Sequence, residues 1–363
     1  MQIRRDLKVE TRLGTLRELR RELLPAVNET VQAIWKGGVV PTGIRVRREF
    51  YRLPVKKVVD DERKPLPKAE RPLAAQMITP KGLTLRLQLM LLYAAQCEAA
   101  PGNAWSCPYP VELKADADHS LMRLMASVAD YKGPGIQGAS AMVNRRRQIT
   151  QALLQLERMH LIRPTNGPGR ARQGYDLLSE TGKSTVAESV PYTVPADTEA
   201  FIELPPEFFT QGWIHILTTS EIAALLMWVD SVTYHATPLE SEQFPISHVP
   251  SDVRLGHYGL SRDAYETHQP LDSFQLLDVI RPEKRYMDGK WNGYSENSSD
   301  MYCHRVALVP GGFARDAGQV VQDVVQRRDA TNVWSRPPNA PERRLDRIRF
   351  TDADPMAPAN WSM

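Results

Sequence analysis

A chain of 363 residues that is 42% hydrophobic and 25% charged has the apolar content of a folded protein with room for more than one core, which excludes a disordered or collagen-like sequence. Its longest apolar run, around residues 221–229, is far too short to cross a bilayer. The charged opening of the chain and only three cysteines (Cys97, Cys107, Cys303) point to the reducing cytoplasm rather than a secreted disulfide scaffold. The net charge of +3 divides unevenly: residues 1–82 hold 19 Lys and Arg against 10 Asp and Glu, residues 83–182 hold 11 against 8, and residues 183–363 hold 16 against 25. A basic front and an acidic back suit a polyanionic partner for the front half.

Leu13 to Ile34 carries Leu16, Leu19, Leu23 and Leu24 at helical spacing and predicts an amphipathic helix ended by Gly37 and Gly38. Residues 39–59 read as a strand or extended arm with Arg45, Arg47, Arg48, Arg52, Lys56 and Lys57, interleaved with Phe50 and Tyr51. Such an arm suits phosphates or a minor groove, and equally a charged edge strand. Residues 60–82, polar and rich in Pro and Lys, read as a linker that closes a basic N-terminal region at residue 82. Next comes a domain over 83–182. A helix is expected from Leu83 to Ala100, a second from about His119 to Val128, and a third from about Ala139 to His160 after a Gly-rich turn. A short apolar strand, a turn at 166–174 carrying Arg170 and Arg172, and a strand from Tyr175 to Leu178 complete it.

The order returns more loosely in a second, acidic domain over 199–310. Strands are expected between 200 and 217, where Phe208, Phe209 and Trp213 read as core. Helices follow at Thr219–Tyr234, near 250–258, and from a Ser261 cap toward Leu277, with Pro270 interrupting the last. Strands at 277–282 and 302–309 would form a longer hairpin. Residues 311–363 read as one helix, about 316–328, and a mobile Pro-rich tail.

The third helix carries the chemistry. Met142, Ile149, Leu153 and Leu156 share one stripe, expected to pack on the first two helices. The opposite face collects Asn144, Arg147, Gln148, Gln151 and Gln155. Arg can bridge O6 and N7 of guanine, and Asn or Gln can pair with N6 and N7 of adenine. Asn144, Arg147, Gln148 and Gln151 are therefore the candidates for base contacts. Arg145 and Arg146 beside them, Arg170 and Arg172 on the hairpin tip, and Arg45, Arg47 and Arg48 on the arm are the candidates for phosphate contacts. A merely solvated face is the alternative, but such faces mix both signs, and here no carboxylate occurs before Glu157.

The run Gln151–Ile162 resembles the recognition-helix ending of bacterial winged helix-turn-helix proteins, and residues 83–182 resemble that module as a whole. With the second copy, the chain is similar to tandem winged-helix plasmid replication initiators and to bacterial transcription regulators. The Gly-rich insertion before the third helix departs from that pattern. The resemblance implies an α+β, predominantly helical fold of tandem winged-helix modules with an N-terminal basic extension. It implies a double-stranded DNA partner and sequence-specific binding, first as a transcriptional regulator. A plasmid-type replication initiator and a non-catalytic protein-binding subunit of a larger complex are the alternatives.

The second module presents Arg262, Glu266, Gln269 and Ser273, but residues 183–310 hold 8 basic groups against 18 acidic, which repels phosphate. Self-association or a protein partner is expected there; Arg281, Lys284, Arg285 and Lys290 form its one basic strip. No phosphate loop, GxSxG, HExxH or paired CxxC occurs. Cys303 and His304 would point to opposite faces of a strand, and His248, Asp252 and His257 lack a complete ligand set. Neither a catalytic residue nor a metal, cofactor or membrane is expected.

Overall fold

The computed structural model describes residues 12–59, 64–79, 82–112, 119–127, 141–165, 174–236, 245–280 and 304–331. The chain is α+β, mostly helical, with small antiparallel sheets. It divides into two compact units: Met1–Phe50 with Gln76–Thr219 and Phe313–Gln319, and Tyr51–Ala75 with Ser220–Gly312 and Val320–Met363. These boundaries differ from those at 82 and 199 read from composition, because burial, not polarity, decides which segments belong together.

The first unit opens with helix α1 (12–37), whose turn at Leu19–Leu23 is π-wound. Pro25 follows that turn and has no N–H for the regular ladder, which explains the break. Leu16, Leu19, Leu24, Val27, Val31 and Ile34 are buried along one stripe. Then come strand β1 (Ile44–Arg47), helix α2 (Thr84–Glu98), β2 (Ser106–Cys107), α3 (Leu121–Leu124), α4 (Ala141–Arg158), β3 (Ile162–Pro164), β4 (Tyr175–Leu177) and β5 (Phe201–Leu204). Helix α2 is apolar nearly all round and lies in the core. Its Tyr93 donates to Val31 O at 2.9 Å and stacks on Phe209 at 4.7 Å between ring centroids, while Trp213 Nε1 donates to Phe313 O.

One open alternative is decided and one expectation corrected here. Residues 44–47 are not a free arm: β1 pairs antiparallel with β5, Ile44 opposite Leu204 and Arg47 opposite Phe201. The other edge of β1 is covered by the Gln96 side chain, which accepts from Arg45 N at 2.7 Å and donates to Arg45 O at 2.8 Å. Residues 205–217 are not strands but the helical turns Glu207–Thr210 and Trp213–Ile216. Pro205 and Pro206 have no N–H for a ladder, and Pro206, at φ −53°, starts the first turn.

The second unit includes part of the stretch read as a linker. Leu66, Ala74 and Ala75 are buried in it, and Lys68–Glu70 and Leu73–Gln76 form short helical turns rather than a loose tether. Helix α5 (Thr219–His235) runs into this unit and is followed by α6 (Ser251–Gly256), α7 (Arg262–Tyr265), α8 (His268–Ser273), β6 (Leu277–Ile280) and β7 (Arg305–Leu308); α9 (Ala317–Thr331) comes last. Ser261 caps α7 by accepting from Ala264 N, and the expected single helix is split into α7 and α8. Asp230, fully buried in α5, accepts from Tyr51 and Tyr258 and lies 3.8 Å from Arg52. The tail beyond residue 331 lies outside the described residues.

Both units contain the same construction. In the first, α2 is followed by β2, α3, α4, β3 and β4, and the sheet order is β2-β4-β3, with the last strand central. In the second, α5 is followed by a bridging residue, Ser247, then α6, α7, α8, β6 and β7; Ser247 pairs with Val306, and Leu277 with Leu308, so the last strand is again central. The helix-to-strand turn matches residue for residue. His160 (φ 55°) donates to Glu157 O and Leu161 to Leu156 O; Gln275 (φ 59°) donates to Asp272 O and Leu276 to Leu271 O. Each is a left-handed C-terminal stop of the Schellman type.

A residue with a Cβ in that conformation is disfavoured by about 1 kcal/mol or more. His160→Gly is therefore expected to raise unfolding stability by about 1 kcal/mol in urea denaturation. His215 is buried with neither ring nitrogen hydrogen-bonded among the described residues. Burial first, and the nearby Arg86 charge second, push its pKa down to about 3. Folding thus requires neutral imidazole, while the unfolded chain takes up a proton below about 6.5, so stability falls as pH drops from there toward 3. Between pH 7 and 5, His215→Leu is expected to lose about 2 kcal/mol less stability than the parent.

Candidate nucleic-acid interface

Helix α4 is anchored by Ile149, Ala152, Leu153 and Leu156, all buried. Met142, expected on the same stripe, is instead 62% exposed. Arginine and amide side chains occupy the opposite face. Arg147 and Gln151, one turn apart, are exposed and have no hydrogen bond or ion pair among the described residues. Asn144 and Gln148 are half-buried, and each interacts within the chain. Gln155 is half-buried as well. Helix α4 contains no carboxylate before Glu157.

The candidate phosphate contacts separate into distinct groups. Arg146 stays on the surface, 3.5 Å from Glu112, with both side chains about half exposed, a pair worth little in water. Arg145 turns inward: one guanidinium nitrogen donates to Met122 O at 2.8 Å and Met125 O at 3.2 Å, at the end of α3. Burial pushes its pKa down, and the carbonyls at that helix end offset part of the cost. Arg145 thus ties α4 to α3 and is withdrawn as a phosphate contact. Arg170 and Arg172 lie outside the described residues, as do the second unit's Arg281, Lys284, Arg285 and Lys290.

The arginines of β1 are committed within the protein. Arg45 pairs with Asp197 at 2.7 Å and Glu203 at 3.3 Å, and donates to Pro195 O. Arg47, buried, pairs with Glu199 at 2.7 Å and Glu180 at 3.2 Å and donates to Thr193. Burial alone would weaken the Arg47 cation, but its bond to Glu199 and the Glu180 charge outweigh that. Burial pushes the Glu180 carboxyl up to about 7 against the opposing pull of Arg47. Arg48 is half-buried in the helical turn Arg48–Tyr51 and interacts within the chain. Paired carboxylates leave Arg45 and Arg47 no face for a phosphate, so both are withdrawn.

Two cations that sequence reading passed over join the site. Arg158 falls on the Arg147–Gln151 stripe, three turns beyond Arg147; Arg123 is on α3. Both are exposed without a partner among the described residues. The three-turn spacing was the available signal for Arg158. On the sheet, Ser106, Asp176 and Arg163 form a cross-strand row, Arg163 donating to Asp176 at 2.8 Å and Ser106 at 2.8 Å. Burial would raise the Asp176 carboxyl, but these two bonds hold it below its usual value.

Among its described residues, the second unit offers no comparable face. Arg262 pairs with Glu266 at 3.3 Å, Gln269 donates to Glu266, and Ser273 is buried, donating to Gln269 O. His257 Nδ1 lies 2.8 Å from Leu53 O, and no group of three His, Cys, Asp or Glu gathers among the described residues. Nor is any described helix long and apolar enough to cross a membrane. Comparison with protein-family models, curated proteins and solved structures found no match to the chain.

Arg47→Met removes the pull that opposes burial, so Glu180 is protonated at pH 7 and the loss is that of the Arg47 bonds to Glu199 and Thr193. It is expected to lower stability by about 2 kcal/mol in urea denaturation, nearly equally at pH 7 and pH 5. Arg147→Ala, on an open face, should stay within about 0.5 kcal/mol of the parent in the same denaturation experiment.

Proposed function

We propose that the chain is a sequence-specific double-stranded DNA-binding protein whose module over α2–β4 acts as a winged helix, with α4 as its reading helix. The observation that carries the reading is the exposed Arg147–Gln151–Arg158 stripe, with no carboxylate before Glu157, on a helix anchored by its opposite side. A helix fits the major groove, and arginine and amide side chains are the types that distinguish base edges there. Arg147 and Gln151 take the base contacts in this reading, with Asn144 and Gln148 behind them. Arg146, Arg158 and Arg123, together with Arg170 and Arg172 of the hairpin tip, take the phosphates. The helix–strand–helix–helix–strand–strand order, with the last strand central, supports the winged-helix assignment.

Transcriptional regulation is the role this reading favours, with the acidic second unit serving self-association or a protein partner. The duplicated construction favours a second role, a plasmid-type replication initiator, in which two modules of one chain replace the two subunits of a dimer.

Selection of duplexes from randomised DNA at near-physiological salt tests both. An enriched motif that loses preference at one position in Arg147→Ala, at a cost of about 1–3 kcal/mol, is the expected result. Arg146→Ala should weaken all duplexes alike and flatten the slope of log K against log salt by about 0.9. An inverted-repeat motif favours the regulator and a single directional motif the initiator. Weak, salt-sensitive binding without enrichment would overturn the proposal and leave a protein-binding subunit.

A further inference from the structure

The first unit holds a cavity of about 390 Å³ lined by Arg20, Leu24, Pro25 and Asn28 of α1 and by Asp316 and Gln319. That volume is in the range of small-molecule sites. Its polar groups are held in place. Asp316 caps α9 by accepting from Gln319 N at 2.6 Å, and Gln319 Oε1 accepts from Arg20 Nη2 at 2.6 Å. Gln319 thus bonds both to a carboxylate and to a guanidinium that line one cavity, and Asp316 forms no ion pair among the described residues. Asn28 completes the set. Its Oδ1 is buried with no hydrogen-bond donor among the described residues, whereas buried acceptors are nearly always satisfied. Gly212, at φ 81°, makes room for it: a Cβ there would come within 3.1 Å of Asn28 Oδ1 and 2.9 Å of Leu24. Arg20 belongs to the π-wound turn Leu19–Leu23, an irregularity that recurs at functional sites.

These groups select an occupant by charge. The second oxygen of Asp316 and the buried acceptor of Asn28 both call for N–H donors, which an ammonium carries. A ligand with an ammonium alone would meet the Arg20 cation, and one with a carboxylate alone would meet Asp316. A molecule bearing both charges on one short carbon skeleton suits all three residues, with Leu24 and Pro25 against its carbons. We propose that the cavity binds a free α-amino acid, its ammonium on Asp316 and Asn28 and its carboxylate beside Arg20. The proposal is independent of how α4 is read, because no lining residue belongs to that helix or to its sheet.

Calorimetric titration of the full chain with each common amino acid, up to about 10 mM, tests it without DNA. At least one is expected to bind. The corresponding amine and the corresponding carboxylic acid, each lacking the other charge, should bind about tenfold more weakly. Asp316→Asn keeps an oxygen for the α9 cap and removes only the charge, so it should fold as the parent does while weakening binding about tenfold. Asn28→Ala, inside a helix, should weaken it about fivefold. Circular dichroism of both variants should match the parent. If no amino acid binds, the cavity holds only water and the proposal falls. Equal affinity for the amino acid and its amine, or binding unchanged in Asp316→Asn, would overturn it as well, and none of these results bears on DNA binding by α4.

Discussion

The site depends on the burial of one stripe of α4. Ile149, Ala152, Leu153 and Leu156 lie on the same side of a helix with about 3.6 residues per turn, so burying them obliges Arg147, Gln151 and Arg158 to face outward. Rotating the helix by a single residue would bring Thr150 and Glu157 inward and turn Ile149 and Leu156 away from the core. Arg145 removes what freedom remains, because its two bonds to α3 carbonyls fix the helix both in rotation and in its angle to α3. A cation is thereby diverted from the surface to the interior. The outward face gains a fixed orientation in exchange, which the proposed base contacts would need.

The same physical device stops α4 and its counterpart in the second unit. Leu156-Glu-Arg-Met-His-Leu-Ile162 and Leu271-Asp-Ser-Phe-Gln-Leu-Leu277 share their pattern of apolar and acidic positions, and both bend through a left-handed residue that is not glycine. Counting back from those turns, Arg262 occupies the place of Arg147 and Glu266 the place of Gln151. An amide in one copy is a carboxylate in the other, and the carboxylate holds the neighbouring arginine in an ion pair. One scaffold thus presents a cationic, amide-rich face in the first unit and a self-neutralised face in the second.

Much of the helical framework was legible because its signals are local. The apolar periodicity of α2, α4 and α5, the Gly37-Gly38 stop and the Ser261 cap are each written within a few residues, and the two hairpins followed from apolar runs. Long-range partners left no such trace. Nothing in residues 39–59 indicates that Ile44–Arg47 pairs with Phe201–Leu204, or that Glu180 and Glu199 await Arg47; a run of arginines looks the same whether it meets phosphates or buried carboxylates. Arg145 was misjudged for the same reason, since its partners are backbone carbonyls with no side-chain signature. Met142 was misjudged because periodicity states which side a residue faces and not where the neighbouring core ends. The seven-residue repeat at 156–162 and 271–277 was within reach of sequence comparison of the two halves, but its polar positions differ enough to hide it from a search for identical residues.

The bonds of Gln96 to both backbone groups of Arg45 have a consequence for the open edge of β1. An unpaired strand edge is a template on which another chain can add a strand and continue the ladder. On β1 that template is occupied by a glutamine amide, which offers an acceptor and a donor in the arrangement of a peptide group but has no backbone beyond it to extend. Sheet growth on that side ends at a side chain from α2. Protection against edge-to-edge aggregation therefore depends on a residue of the central helix and becomes complete only once that helix has packed.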